Sequence, residues 1–331
     1  MRERQSRPLP FRTNLFLIAP MNWLYGISIT CFAASYLVAF CLELTRVFFR
    51  APLRKYLIDG CMLAGFFAHT TYMILQAQIL FGSSGLFMGS WPGWCFGGAW
   101  LLVIAYIWFR YRQPQALSGL FILPMVISLI GVGTWLAPDM AFPPTQARTI
   151  WNAVHGLSLL IGTTTVILGF IFGTMYLLQS QRLKQKLPPS RLIRYPSLEW
   201  LQESSGTLLL VSAVLFGVGL VSGILLNVIN QQIGQGVLPW NDPVIVSSAV
   251  LFVWLLVSTI FNLSYRPARL GRKVAYLVLT TFLFLVIEFA IVLFAGHATR
   301  DQASQHEAIS NTPKVTTSRT STSLFEEGRA E

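Results

Sequence analysis

Apolar and polar positions fall along this chain in blocks. Runs of about 20 apolar residues, enough to cross the hydrocarbon core of a bilayer, are separated by short polar connections. They predict about eight transmembrane helices, at roughly residues 22–43, 57–80, 94–110, 118–137, 150–179, 206–230, 244–264 and 273–297. The third run is the shortest and predicts a tilted or partly interfacial helix; the fifth is long enough to project beyond the membrane. No solenoid period is present. The expected fold is all-α, a polytopic integral membrane helix bundle. Ahead of it, residues 1–21 carry Arg2, Arg4, Arg7 and Arg12, then a short apolar patch closed by Pro20. No small-residue cleavage site follows closely, so this stretch reads as an uncleaved leader. Residues 22–300 form the membrane domain. Residues 301–331, rich in Ser, Thr, Glu and Ala, predict a disordered polar tail.

Composition agrees. Of 331 residues, 54% are hydrophobic and 11% charged, against about 25% charged in a soluble chain. The solvent of this protein is therefore the lipid bilayer. A net charge of +11 raises nucleic acid as a partner, but the basic residues sit in clusters between apolar runs. That pattern excludes nucleic acid and follows the positive-inside rule. Arg46, Arg50, Arg54 and Lys55 follow the first run; Arg110 and Arg112 bound the loop after the third. Arg182, Lys184, Lys186, Arg191 and Arg194 follow the fifth, and Arg266, Arg269, Arg272 and Lys273 the seventh. The alternate loops hold only Arg148. Odd loops are thus expected in the cytoplasm and even ones outside. An even number of spans then puts both termini outside, in conflict with the four N-terminal arginines.

Cys31, Cys41, Cys61 and Cys95 form neither a Cys-x-x-Cys pair nor a Cys-x-x-Cys-His attachment site, so covalent haem and thiol relay are not indicated. Walker A, His-Glu-x-x-His and Gly-x-Ser-x-Gly patterns are absent. Broken helices and repeat symmetry, expected of a secondary transporter, are not seen.

The candidate chemistry lies with the histidines. His155 opens the fifth run and His297 closes the eighth, so both are expected at the outer face. Each is either a polar-tipped interface anchor or, as a pair across a gap, the two axial ligands of one haem iron. The outer loop 231–243 between them lacks Lys and Arg and contains Trp240 and Asp242. Trp240 could pack on a porphyrin, whereas Trp91, Trp94 and Trp135 suit the aromatic belt. His69 falls roughly 20 Å into the second span, near the midplane, as a functional group or as a neutral histidine bonded to a neighbouring helix. Glu288 is the one acid expected deep in a span, either bonded to a neighbour or paired. His306 lies in the polar tail.

Several stretches carry a family resemblance. Tyr195-Pro196-Ser197-Leu198-Glu199-Trp200-Leu201 precedes the sixth span. Gly173-Thr174-Met175-Tyr176-Leu177-Leu178-Gln179, then Arg182-Leu183-Lys184, closes the helix that His155 opens. Arg269-Leu270-Gly271-Arg272-Lys273-Val274-Ala275 leads towards Gly296-His297, and Phe67-Ala68-His69-Thr70-Thr71-Tyr72 lies in the second span. In order and spacing these resemble the integral-membrane cytochrome c assembly proteins, the CcsA/ResC/CcmC group, and most closely the eight-span HemX-like branch. The resemblance covers roughly residues 22–300.

It implies a multi-pass protein of the bacterial inner membrane that binds non-covalent b-type haem at its outer face. Such a protein assists cytochrome c maturation or haem delivery beside a membrane assembly partner subunit, as an assembly factor more than a stand-alone enzyme. His155 and His297 would ligate haem iron, Trp240 and Asp242 would shape the pocket, and His69 would be a waypoint or a structural group. The family loop Trp-x-Trp-Asp-Pro-Lys-Glu is reduced here to Pro239-Trp240-Asn241-Asp242-Pro243-Val244, and the second buried histidine is replaced near residues 262–264. Those departures suit an alternative: a scaffold or regulator of haem biosynthesis that transfers no haem.

Overall fold

A computed structural model describes residues 28–46, 53–82, 90–113, 118–136, 150–186, 195–232, 239–264 and 272–310, with the side chains of 77–82, 150 and 292–310 outside that description. The leader 1–21, Arg148, the tail beyond 310 and the side chains of His297 and His306 lie outside the described residues. Every element is a helix: α1 (Ile29–Thr45), α2 (Arg54–Gly82), α3 (Trp91–Arg112), α4 (Gly119–Gly131), α5 (Ile150–Lys184), α6 (Leu198–Gln232), α7 (Pro243–Ser264) and α8 (Arg272–Ser310). A π-helical turn, Val132–Leu136, extends α4. Seven of these helices are long and apolar enough to cross a membrane; the described part of α1 is shorter. The chain is a multi-pass membrane bundle.

Lipid offers the backbone no partners, so each span closes its own hydrogen bonds. Side-chain hydroxyls do the same by donating back one turn, as Thr164 does to Leu160 and Thr281 to Leu277. The helices form two groups, α1–α4 and α5–α8, joined where α3 packs on α5. Phe109 of α3, Phe172 of α5 and Trp200 of α6 meet at that seam, with ring centroids 5.2–5.6 Å apart.

α3 corrects the expectation that the third span is the shortest. It is a 22-residue helix, and with α5 it is the most buried of the candidate spans. Pro92 sits in the first turn, where no N–H is needed, and the Ser90 hydroxyl accepts from the Gly93 N–H at 3.3 Å. α6 likewise starts at Leu198, eight residues before its expected start, with Ser197 Oγ accepting from the Trp200 N–H at 3.3 Å. α8 continues past residue 297 to Ser310.

Glu288 is not the only buried acid. Glu43, near the end of α1, is wholly buried. Its Oε1 accepts from Arg110 Nη1 of α3 at 2.9 Å and from the Tyr106 hydroxyl at 3.2 Å, while Oε2 lies 3.6 Å from Arg46. Arg110 also donates through Nε to Asp59 of α2 at 2.5 Å. A Cβ at Gly119, the first residue of α4, would sit 2.9 Å from the Glu43 side chain, so glycine lets α4 close over the acid. One ion cluster thus ties α1, α2 and α3 together beneath the start of α4, at the end that carries the basic loops.

Candidate functional site

His155 lies five residues into α5, about 8 Å along the helix. Its ring is turned into the seam with α6, the most extensive interface in the bundle. Small residues make that seam close. Nδ1 lies 2.8 Å from the Gly219 carbonyl oxygen. A carbonyl only accepts, so Nδ1 carries the proton and a neutral ring keeps its lone pair on Nε2. His155 is therefore part-buried and oriented, which is more than an interfacial anchor needs.

Helix registers locate the other candidates. α8 runs antiparallel to α5, with Arg272 Nε donating to Ser180 Oγ at 3.0 Å, Phe282 stacked on Phe170 at 4.0 Å, and Gly173 against Leu279. Each step up α8 matches a step back along α5, so residue 297 falls level with residue 155. On its other side α8 meets α7, where Ser248 donates to Glu288 and Trp254 Nε1 donates to Thr281 Oγ1 at 3.1 Å. The backbone of α8 thus rises past the end of the bundle where His155 and the 239–242 turn lie.

The turn itself has a structural task. Asp242 caps α7: its Oδ1 accepts from the Val244 N–H at 2.8 Å, and Pro243 opens the helix where no N–H is required. Asp242→Asn is expected to leave stability unchanged, and Asp242→Ala to lower it by about 1 kcal/mol in an unfolding titration; a carboxylate needed for charge would fail in both. Trp240 is 54% exposed and rims an open apolar groove on α7 lined by Val246, Val250 and Val253. Gly217 beside Phe252 and Gly206 beside Asn262 fix α7 against α6. By that register Gly223 stands level with Val246, inside α7, whereas Trp240 lies beyond the first residue of that helix. The turn and His155 share one end of the bundle but not one level, and no described contact joins them.

His69 is elsewhere. It is fully buried, 15 residues into α2, about 22 Å from its start. Phe32 of α1 lies parallel to its ring at 4.3 Å and 3°. The Tyr36 hydroxyl is 3.3 Å from Nδ1, and the Phe96 backbone of α3 also faces the imidazole. The neighbouring-helix partner is Tyr36, since Thr70 accepts from Trp100 Nε1 at 3.0 Å and Thr71 bonds its own helix. This aromatic enclosure joins α1 and α2. Glu288, read as bonded or paired, bonds to Ser248. Asn262, where the family's second histidine would fall, is buried against Gly206. Among the described residues no cluster of His, Cys, Asp and Glu could hold a bare metal ion.

The sequence profile of the cytochrome c assembly protein family matches residues 88–298, well over half of the chain. This chain belongs to that family. The match spans α3 to α8, including His155, the 239–242 turn and residue 297, and leaves α1, α2 and His69 outside. Membership ties this cytochrome c assembly protein to cytochrome c maturation and haem handling. No curated protein and no solved structure gives a significant match.

The Gly219 carbonyl and the bare Cα of Gly223 were missed in the sequence. Their signal was two glycines one turn apart on one face of α6.

Proposed function

We propose that this protein binds one non-covalent b-type haem near the outer face of a bacterial inner membrane, with His155 and His297 as axial ligands, and presents that haem during cytochrome c maturation. The observation that carries the reading is the His155 imidazole, fixed through Nδ1, which in the neutral ring leaves the lone pair on Nε2. Ligating histidines are usually oriented by such a bond from the other ring nitrogen. The register of α8, which brings residue 297 to the same level, supports a second ligand on the facing helix. Bound haem supplies an iron with two axial positions that accept imidazole nitrogen.

Trp240 and Asp242 belong to the rim in this reading, and the cap made by Asp242 fixes where α7 begins. The enclosure of His69 supports a structural role more than a waypoint. Eight helices support the HemX-like branch. The four cysteines form no thiol pair, so apocytochrome reduction and attachment fall to a membrane partner subunit.

One observation favours a second reading, the non-transferring scaffold or regulator of haem biosynthesis. Asp242 is occupied as a helix cap and Trp240 faces an open groove, leaving the haem loop thin. Haemin titration of the apo protein in mild detergent separates the two. Haem handling predicts a saturable Soret change at one haem per chain that His155→Ala abolishes. Absence of saturable binding by wild type would sink it and leave the regulator.

A further inference from the structure

We infer that Gly219 and Gly223 of α6 are positioning residues for His155: the carbonyl of one fixes the imidazole tautomer, the bare Cα of the other gives the ring its seat, and together they present Nε2 as the free donor atom. The inference builds on the haem reading but concerns the apo protein as well.

The argument is geometric. His155 Nδ1 lies 2.8 Å from the Gly219 oxygen, a contact that exists only if Nδ1 carries hydrogen. The ring lies across the next turn of α6. A Cβ at Gly223 would stand 2.9 Å from Cε1 and 3.1 Å from Nδ1, closer than a carbon atom tolerates. Any other residue at 223 therefore displaces the imidazole from the carbonyl. At Gly219 a Cβ would stand 2.5 Å from Leu159 Cδ2, so this glycine also lets α5 approach closely enough for the bond to form. Ser222 donates to the same Gly219 carbonyl at 2.9 Å and to the Val218 carbonyl at 2.8 Å. Its single hydroxyl hydrogen is shared between these two carbonyls. Desolvation between two helices makes a stray Nδ1–H costly, which holds the ring where the carbonyl is.

The first test is nitrogen NMR on apo protein labelled with 15N-histidine, His155 being assigned by its loss in His155→Ala. A protonated, pyrrole-type Nδ1 and an unprotonated, pyridine-type Nε2 are expected; the reverse pattern overturns the inference whether or not haem binds. The second compares Gly223→Ala with Gly217→Ala, which crowds Phe252 on the α7 side of the same helix at 3.1 Å without touching His155. Gly223→Ala is expected to weaken haemin affinity about 10- to 100-fold, as loss of an outer partner of a ligating histidine does. It should also raise the high-spin fraction, with added imidazole restoring low spin; Gly217→Ala should change neither. Wild-type affinity and spin state in Gly223→Ala would overturn the positioning role while leaving the haem reading intact. A wild type that takes up no haem removes the haem reading, and the NMR result then decides the inference alone.

Discussion

Arg110→Met is expected to cost about 3–5 kcal/mol of stability, because it strands a buried carboxylate without its partner. Glu43 is wholly buried and takes its shortest contact, 2.9 Å, from Arg110. Arg46 is farther, at 3.6 Å. Asp59 is 38% exposed, so water replaces most of its share of the pair. The loss should therefore trace to Glu43. Glu43→Gln combined with Arg110→Met should recover most of it, since an amide is far cheaper to bury than an unpaired charge. Unfolding titrations in mixed micelles measure both. A single-variant loss of about 1 kcal/mol or less, the range of exposed ion pairs, would show that the cluster does not hold these ends of α1, α2 and α3 together.

The second large effect concerns haem. His155→Ala and His297→Ala should each lower haemin affinity by more than the roughly 10- to 100-fold that follows from losing only an outer partner, because each removes a bond to iron itself. The two effects should not add, since both ligands serve one iron. His69→Ala should leave haemin affinity unchanged. It removes the ring stacked on Phe32 at 4.3 Å and should instead destabilise α1 against α2 by about 2–4 kcal/mol, the range for truncating a large buried side chain. Equilibrium titration followed at the Soret band, alongside unfolding of the same variants, separates a ligand from a packing residue.

Most of the membrane architecture was legible because span length and block hydrophobicity are one-dimensional signals. Boundaries failed where polar residues continue a helix beyond the lipid. Glu199, Gln202 and Glu203 fall before the expected sixth span but lie in the first turns of α6, because polar residues do not by themselves end a helix. Pro92 does not break α3, because it stands in the first turn. The ion cluster was invisible for another reason. Glu43 and Asp59 fell at the edges of their expected spans, and their partner Arg110 is 67 and 51 positions away. No local pattern says that the end of α3 returns to the end of α1.

The candidate site was partly legible. The matched levels of residues 155 and 297 could be counted from span ends, and the α5–α8 register, with Phe170 on Phe282 and Ser180 beside Arg272, agrees with that count. What sequence alone left open was the direction of the His155 ring. That depends on two glycines 64 and 68 positions along the chain, whose importance appears only when α6 lies against α5. Asp242 was legible in principle, because Asp before Pro at the start of an apolar run is a helix cap; the haem-loop comparison drew attention away from it.

The most direct test of haem binding between α5 and α8 is the spin state of the iron in the reconstituted protein, read by optical and low-temperature paramagnetic resonance spectra of wild type, His155→Ala, His297→Ala and His69→Ala. The account predicts low-spin, bis-imidazole haem in wild type and in His69→Ala, and high-spin haem restored to low spin by added imidazole in each of the other two. Low-spin haem that survives both outer substitutions and disappears only in His69→Ala would contradict it and put the iron in the interior of the α1–α3 group.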